Sequence, residues 1–371
     1  MWNKMKKIYC IICGLGLLFF SCREEEADFC TDPAQRIYLR ATVENAIPMS
    51  RAPFSPLAPD ENNPLKVAVW ASTEPNVFKN LNKNGSSDDN YEVALHTKAY
   101  FSNGKEQLLY DAVYPKPKSD TEQGGEVCFV GLHPGIGWTT DDAGTIARKT
   151  FNGSEDVMFA PQEKGRYGQN TTERLWPTFK FKHLLTWLKV NVKSDGEEIS
   201  DAWGRLQSLK LKSSAGNTVT IDLSKEYSTV YNPDSQENCV TFSSGDGVTL
   251  DFYKTGTDDV FLDETDPTTW YPIPYNSLKE VAYVLCAPVI ASEKNVDGEQ
   301  SYEYTLIVKT ERRTVEVPVD LKANESTCFN GSTMKYQFTL NLNFKMGNSI
   351  VLTSRVTDWN IGGISNGILT P

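Results

Sequence analysis

Histidine is scarce in this 371-residue chain: there are three copies, His96, His133 and His183. Imidazole is the commonest general base and transition-metal ligand, so three scattered copies weigh against a hydrolase or a zinc enzyme. The familiar catalytic patterns are missing too. The chain contains no GxSxG nucleophile elbow, HExxH zinc helix, Walker loop or EF-hand loop, and the glycines around His133 and Pro134 lack the lysine of a phosphate loop. Neither histidine at 133 or 183 has an orienting carboxylate among its sequence neighbours, so each reads as a satisfied structural residue. The acidic group Asp258, Asp259, Asp263, Glu264 and Asp266 has no calcium-loop spacing and reads as a solvated loop. The residues thus imply no catalytic site, no metal and no cofactor. Only one apolar run reaches 12 residues, which excludes a polytopic membrane protein. Basic excess is absent: 37 Lys and Arg against 48 Asp and Glu leave a net charge of −11, a field that repels phosphate backbones and argues against a nucleic-acid partner. Helical periodicity is also missing, since no 12-residue segment reads as an amphipathic helix. Charged residues, 23% of the chain, are too few and too scattered for disorder.

The N-terminus is distinctive. Lys4, Lys6 and Lys7 precede a thirteen-residue apolar stretch from Ile8 to Phe20, the pattern of an export signal and too short to span a bilayer. Leu18-Phe19-Phe20-Ser21-Cys22 then resembles a bacterial lipobox, in which a small residue precedes the cysteine that is acylated; Phe19 stands where leucine is usual. Lipid on Cys22 is therefore the expected link to a membrane, with residues 1–21 removed. Two or more acyl chains at ~0.8 kcal/mol per buried CH₂ hold a protein firmly where one does not. The acidic run Glu24 to Asp28 resembles the signal that sends some Gram-negative lipoproteins to the outer face of the outer membrane. Beyond the leader and Cys22 remain Cys30, Cys128, Cys239, Cys286 and Cys328, an odd set with no CxxC spacing.

The rest of the chain follows a period of two, which makes it all-β. The clearest strand is Tyr336 to Phe344, which the Gly347-Asn348 turn folds back onto Ile350 to Trp359. A second hairpin joins Tyr302–Val308 to Thr314–Val319. Further strands are expected at Leu65–Ala71, Gln107–Tyr114, Glu126–Leu132, Phe179–Val192, Leu206–Lys212, Thr218–Leu223, Val248–Phe252 and Val281–Ile290, separated by polar loops that include Thr139–Lys149 and Gln162–Glu173. The polar stretch 162–178 is the best domain boundary. Among the tryptophans nearer loops, Trp138, Trp176, Trp203 and Trp270 are candidates for a sugar-stacking platform.

Two segments carry a family resemblance. Asn152-Gly153-Ser154-Glu155-Asp156-Val157-Met158-Phe159-Ala160 and the later run from Phe179 through His183 and Trp187 to Val192 resemble the fimbrillin-like family, the type V pilins with their anchor and tip proteins; Val356-Thr357-Asp358-Trp359 resembles its usual last strand. The resemblance implies two transthyretin-like β-sandwich domains in tandem, residues 52–174 and 175–371, and a structural role in surface fimbriae supporting adhesion. It also implies assembly by strand exchange, in which an arginine-specific protease removes a first strand and another subunit fills the opened groove. Here Arg36 to Val43 reads as that strand, with Ile37, Leu39, Ala41 and Val43 on one face, and the expected cut lies between Arg51 and Ala52. Arg36 and Arg40, inside the strand, should be shielded. Burying the large side chains of that face makes about 5 to 8 kcal/mol available to an incoming strand. A donor or terminal strand would draw on Ile350, Leu352, Val356 and Trp359. Cleavage would also remove Cys30 and leave four cysteines, a number that two disulfides could use. The expected partners are other fimbrial subunits through strand complementation, the membrane through Cys22, and surface glycans or proteins. Two alternatives stay open: a fimbrial anchor that keeps its lipid, and a glycan-binding surface lipoprotein.

Overall fold

The computed structural model describes residues 36–43, 64–79, 94–101, 107–115, 125–167, 176–227, 239–254, 259–288, 304–319, 336–347, 349–358 and 368–369. The first strands are β1 (Arg36–Val43), β2 (Leu65–Ser72), β3 (Ala94–Phe101), β4 (Gln107–Val113), β5 (Glu126–His133), β6 (Trp138–Thr140), β7 (Ile146–Thr150), β8 (Met158–Arg166), β9 (Thr178–His183) and β10 (Thr186–Ser194). The helix α1 (Glu197–Trp203) follows. Then come β11 (Leu206–Asp222), β12 (Val240–Asp251), β13 (Tyr253–Lys254), β14 (Lys279–Cys286), β15 (Tyr304–Thr310), β16 (Thr314–Val319), β17 (Tyr336–Phe344), β18 (Ile350–Asp358) and β19 (Ile368–Leu369). Among the described residues the protein is all-β apart from this short helix.

Seven strands form one sheet in the order β3-β2-β5-β8-β9-β1-β4. Its two end strands, β3 and β4, come back into contact, so the sheet curls around a single core to which Leu39, Val67, Phe101, Phe129 and Phe181 contribute. Two further sheets, β13-β14-β10-β17-β18-β19 and β16-β15-β11-β7-β6 with β12 alongside β11, share a second core. The face-to-face stacking of apolar strand faces is the sandwich solution to a period-two sequence. Strand β2 serves both cores. Val67, Val69 and Ala71 face the first while Ala68 and Trp70 face the second, which is why Leu-Lys-Val-Ala-Val-Trp-Ala-Ser reads as an almost unbroken apolar run.

Both predicted hairpins form. Tyr336↔Asp358 to Phe344↔Ile350 pair in unbroken register, as do Tyr304↔Val319 to Lys309↔Thr314. Other elements differ from the sequence reading. The expected strand Phe179–Val192 is two strands, β9 and β10, broken at the buried pair Leu184-Leu185 where the chain leaves the seven-stranded sheet for the second sandwich. The expected strands Leu206–Lys212 and Thr218–Leu223 merge, up to Asp222, into one 17-residue strand, β11, whose register against β12 shifts near Ser213 and Ala215. The expected loop Thr139–Lys149 carries the hairpin of β6 and β7. Helix α1 has 7 residues, about two turns, too few to generate a readable helical period. The sheets draw strands from both sides of residue 174: β6 and β7 join β11, while β9 joins β8 and β1.

Cys128, Cys239 and Cys286 are buried thiols, so the two disulfides that cysteine parity allowed do not form among them. Cys286 packs as a small hydrophobe, and its burial pushes the thiol pKa up to about 12.

Candidate functional site

Strand β1 alternates as its sequence requires. Ile37, Leu39, Ala41 and Val43 point into the first core, with Ile37 and Leu39 wholly buried, while the side chain of Arg40 is exposed. The strand is stapled on two sides by different halves of its length. Its first half runs antiparallel to β4, with Ile37↔Leu109, Tyr38↔Leu108 and Leu39↔Gln107. Its second half runs parallel to β9, with Arg40↔Thr178, Ala41↔Phe179, Thr42↔Lys180 and Val43↔Phe181. The shielding expected for Arg36 and Arg40 is therefore of the backbone: a protease must draw the chain out as an extended strand, and here that backbone is already paired.

Strand β1 is the sheet's only bridge between β4 and β9 among the described residues. Its departure would open the order at that point and uncover Phe101, Phe179 and Phe181, which pack edge-on at centroid distances of 6.1 and 5.8 Å. Open edges beside an apolar face are what an added strand occupies.

The outer face is held as well. Tyr38 stacks on Trp176 at 5.8 Å with planes 19° apart, and the Arg40 guanidinium sits 5.3 Å from the same ring. The Arg40 amide donates to Pro177 O (3.2 Å) and the Thr42 hydroxyl to Phe179 O (3.3 Å). Trp176, a candidate sugar platform from sequence, is thus covered by β1. Trp176→Ala should remove stacking and cation–π contacts together worth ~1 to 2 kcal/mol. The expected result is about tenfold faster amide hydrogen exchange across β1, with strands β14 and β17 unchanged.

Of the other residues singled out in the sequence, Cys22, Arg51, Ala52 and Trp359 lie outside the described residues. Ile350 and Leu352 are partly buried against the second core, and Val356 pairs with Phe338. Strand β18 is bound to β17 through nine positions and to β19 through two.

All three histidines tie segments together. His96 stacks on Trp70 at 4.0 Å and its Nε2 lies 2.6 Å from Phe78 O; His133 Nδ1 lies 2.8 Å from Lys66 O. Burial holds both below the ordinary histidine pKa. His183 Nδ1–H donates to Asp156 Oδ2 at 2.6 Å. This supplies the carboxylate that the residues flanking His183 lacked. It comes from 27 positions away, where no local pattern reveals it. A histidine–carboxylate pair orients imidazole for catalysis in many enzymes, but these side chains are 5% and 3% exposed, which leaves no approach for a substrate. Among the described residues, no three His, Cys, Asp or Glu come together as a metal site. Of the acidic group, Glu264 pairs with Lys210 (3.2 Å) and Lys309, which hold its carboxyl below the usual range.

The fimbrillin-like family model matches residues 58–360. The chain belongs to the fimbrillin-like family. A fimbrillin-like chain has a fimbrial or adhesion-related role at the cell surface, and β1 lies ahead of the matched region. No curated protein matches it. Similar solved structures include a candidate cell adhesion protein from Bacteroides uniformis (14% identity, TM-score 0.45, covering 88% of this chain and 99% of that one). Others are a fimbrial protein from Bacteroides vulgatus (12%, 0.38, 88% and 99%) and the fimbrial anchor protein Mfa2 from Porphyromonas gingivalis (9%, 0.38, 87% and 97%).

The two fimbrillin-like landmarks meet in space. Asp156 leads into β8, His183 ends β9, and the bond between them joins the two motifs. The other three candidate tryptophans in this fimbrillin-like fold are also engaged. Trp203 is buried; Trp138 Nε1–H donates to Pro134 O (2.8 Å); Trp270 Nε1–H donates to Asp263 O (3.0 Å), with Arg205 4.9 Å from its ring.

Proposed function

We propose that this protein is a structural subunit of surface fimbriae, exported as a lipoprotein on Cys22 and joined to its neighbours by strand exchange after cleavage between Arg51 and Ala52. The observation that carries the reading is the seat of β1: an N-terminal strand with Ile37, Leu39, Ala41 and Val43 in the core, set between β4 and β9, with the long segment 44–64 before β2. Complete burial of its three large apolar side chains at ~1.5 to 3 kcal/mol each gives about 5 to 8 kcal/mol for a replacement strand, enough to drive assembly once the slot is empty. The replacement must run parallel to β9 and antiparallel to β4, with apolar residues at alternate positions. Ile350, Leu352 and Val356 have that alternation, yet β18 is committed to nine pairs with β17, which favours a tip or accessory subunit over a bulk stalk donor.

N-terminal sequencing of the surface protein with palmitate labelling tests the reading. A start at Ala52 without lipid is expected, and Arg51→Ala should abolish that species and lower incorporation into fimbriae at least about tenfold. Retention of lipidated Cys22 in assembled fimbriae would make the protein an anchor instead.

A further inference from the structure

We propose that Asp156 and His183 are positioning residues of the exchange slot: their buried bond holds β9 on β8 during the interval when β1 has left and no replacement has arrived. The inference rests on the strand-exchange reading above.

The pairing of β9 makes such a device necessary. Among the described residues its first four positions, Thr178 to Phe181, pair with β1 alone, and β8 reaches it only at Met158↔His183 and Phe159↔Lys182. Departure of β1 therefore takes four of six pairing positions and leaves the two at the C-terminal end of β9. The Asp156–His183 bond spans the same seam, since His183 is itself the partner of Met158 and Asp156 lies two residues before Met158, and Leu184 N–H donates to Val157 O (2.9 Å) beside it.

The chemistry suits an anchor. A charge-assisted bond shielded from water is among the strong ones, and both side chains are more than nine-tenths buried. The other carboxylate oxygen, Asp156 Oδ1, is buried with no hydrogen-bond partner among the described residues. A half-satisfied carboxylate is a costly way to fill a core, since an apolar pair would pack there without the desolvation cost. What the polar pair adds is direction, fixing which residue of β9 sits beside which residue of β8. With β1 in place the bond is largely redundant, because β1 holds the first four residues of β9 and β8 the last two. In the empty slot it decides what fraction of molecules present β9 ready to pair, and apparent affinity scales with that fraction.

The whole chain, carrying a specific protease site inserted after Arg51, is nicked with both pieces retained and the β1 fragment labelled at Cys30. Dilution gives the fragment's Kd, and a chase with excess unlabelled residues 34–45 gives its dissociation rate. Asp156→Asn, which keeps an acceptor, should raise Kd about threefold and His183→Phe about tenfold, with dissociation within about twofold of wild type. The change then lies in association, a split that a general loss of stability would not produce. An unchanged Kd, or a dissociation rate that rises in step with Kd, would overturn the positioning role. If His183→Phe does not fold, Asp156→Asn carries the test alone. Failure of the wild-type fragment to exchange at all would overturn the strand-exchange reading, and the inference with it.

Discussion

Leu39→Asp should expel β1 from its slot while the second sandwich stays folded. Leu39 is wholly buried in the first core, so the change forfeits ~1.5 to 3 kcal/mol of apolar burial. It also requires burial of an unpaired carboxylate, which costs several kcal/mol more. The sum is comparable with the entire ~5 to 8 kcal/mol that seats the strand, so release costs less than accommodation. The second core contains no β1 residue, which confines the damage. Digestion with an arginine-specific protease measures the effect, because Arg36 and Arg40 become cleavable only when their backbone leaves β4 and β9. Thr42→Asp is the parity control: that side chain faces outward, and the strand should stay resistant. Resistance of Leu39→Asp at Arg36 and Arg40 would refute a releasable β1.

Where period two operates without interruption, the fold could be read directly. Strand β1, the hairpin of β17 with β18 and that of β15 with β16 all have alternating apolar residues, because each turns one face to a core. Period two does not mark the point where a strand changes cores. Phe179 to Val192 has apolar residues throughout, yet its first part belongs to the seven-stranded sheet and its second to the opposite sandwich. Periodicity reports that a residue is buried and not which core buries it. The site was legible to the same degree. The apolar face of β1 follows from spacing alone, but its division between β4 and β9 depends on pairings 68 to 138 positions distant. Asp156 and His183 were visible as members of two motifs. Their contact was not, because side-chain partners across a seam leave no local pattern. Trp176 likewise has the loop-side sequence context of a candidate sugar platform, yet Tyr38 and Arg40 cover its ring.

Trp203 carries this lesson into the second sandwich, where Trp203→Ala has the larger expected effect on thermal stability. Its ring is 1% exposed, packs edge-on to Phe344 at 5.1 Å, donates from Nε1–H to Lys345 O at 2.9 Å and lies under Arg313 at 4.8 Å. It is also the only buried residue of α1, a helix of 7 residues that cannot persist on its own propensity. Truncating a buried aromatic costs ~3 to 5 kcal/mol through lost transfer energy and the cavity left behind. For a unit of this size that is a fall in Tm of about 10 °C. Trp270 is the comparison: partly exposed, with one indole hydrogen bond and one arginine over its ring, it should cost no more than ~1 kcal/mol on truncation. Calorimetry of the two variants distinguishes a core tryptophan from a surface one. Equal, small losses would mean that Trp203 does not hold α1 to the sandwich, whereas a large loss confined to Trp203 makes it the pin that closes this end of the β17–β18 sheet.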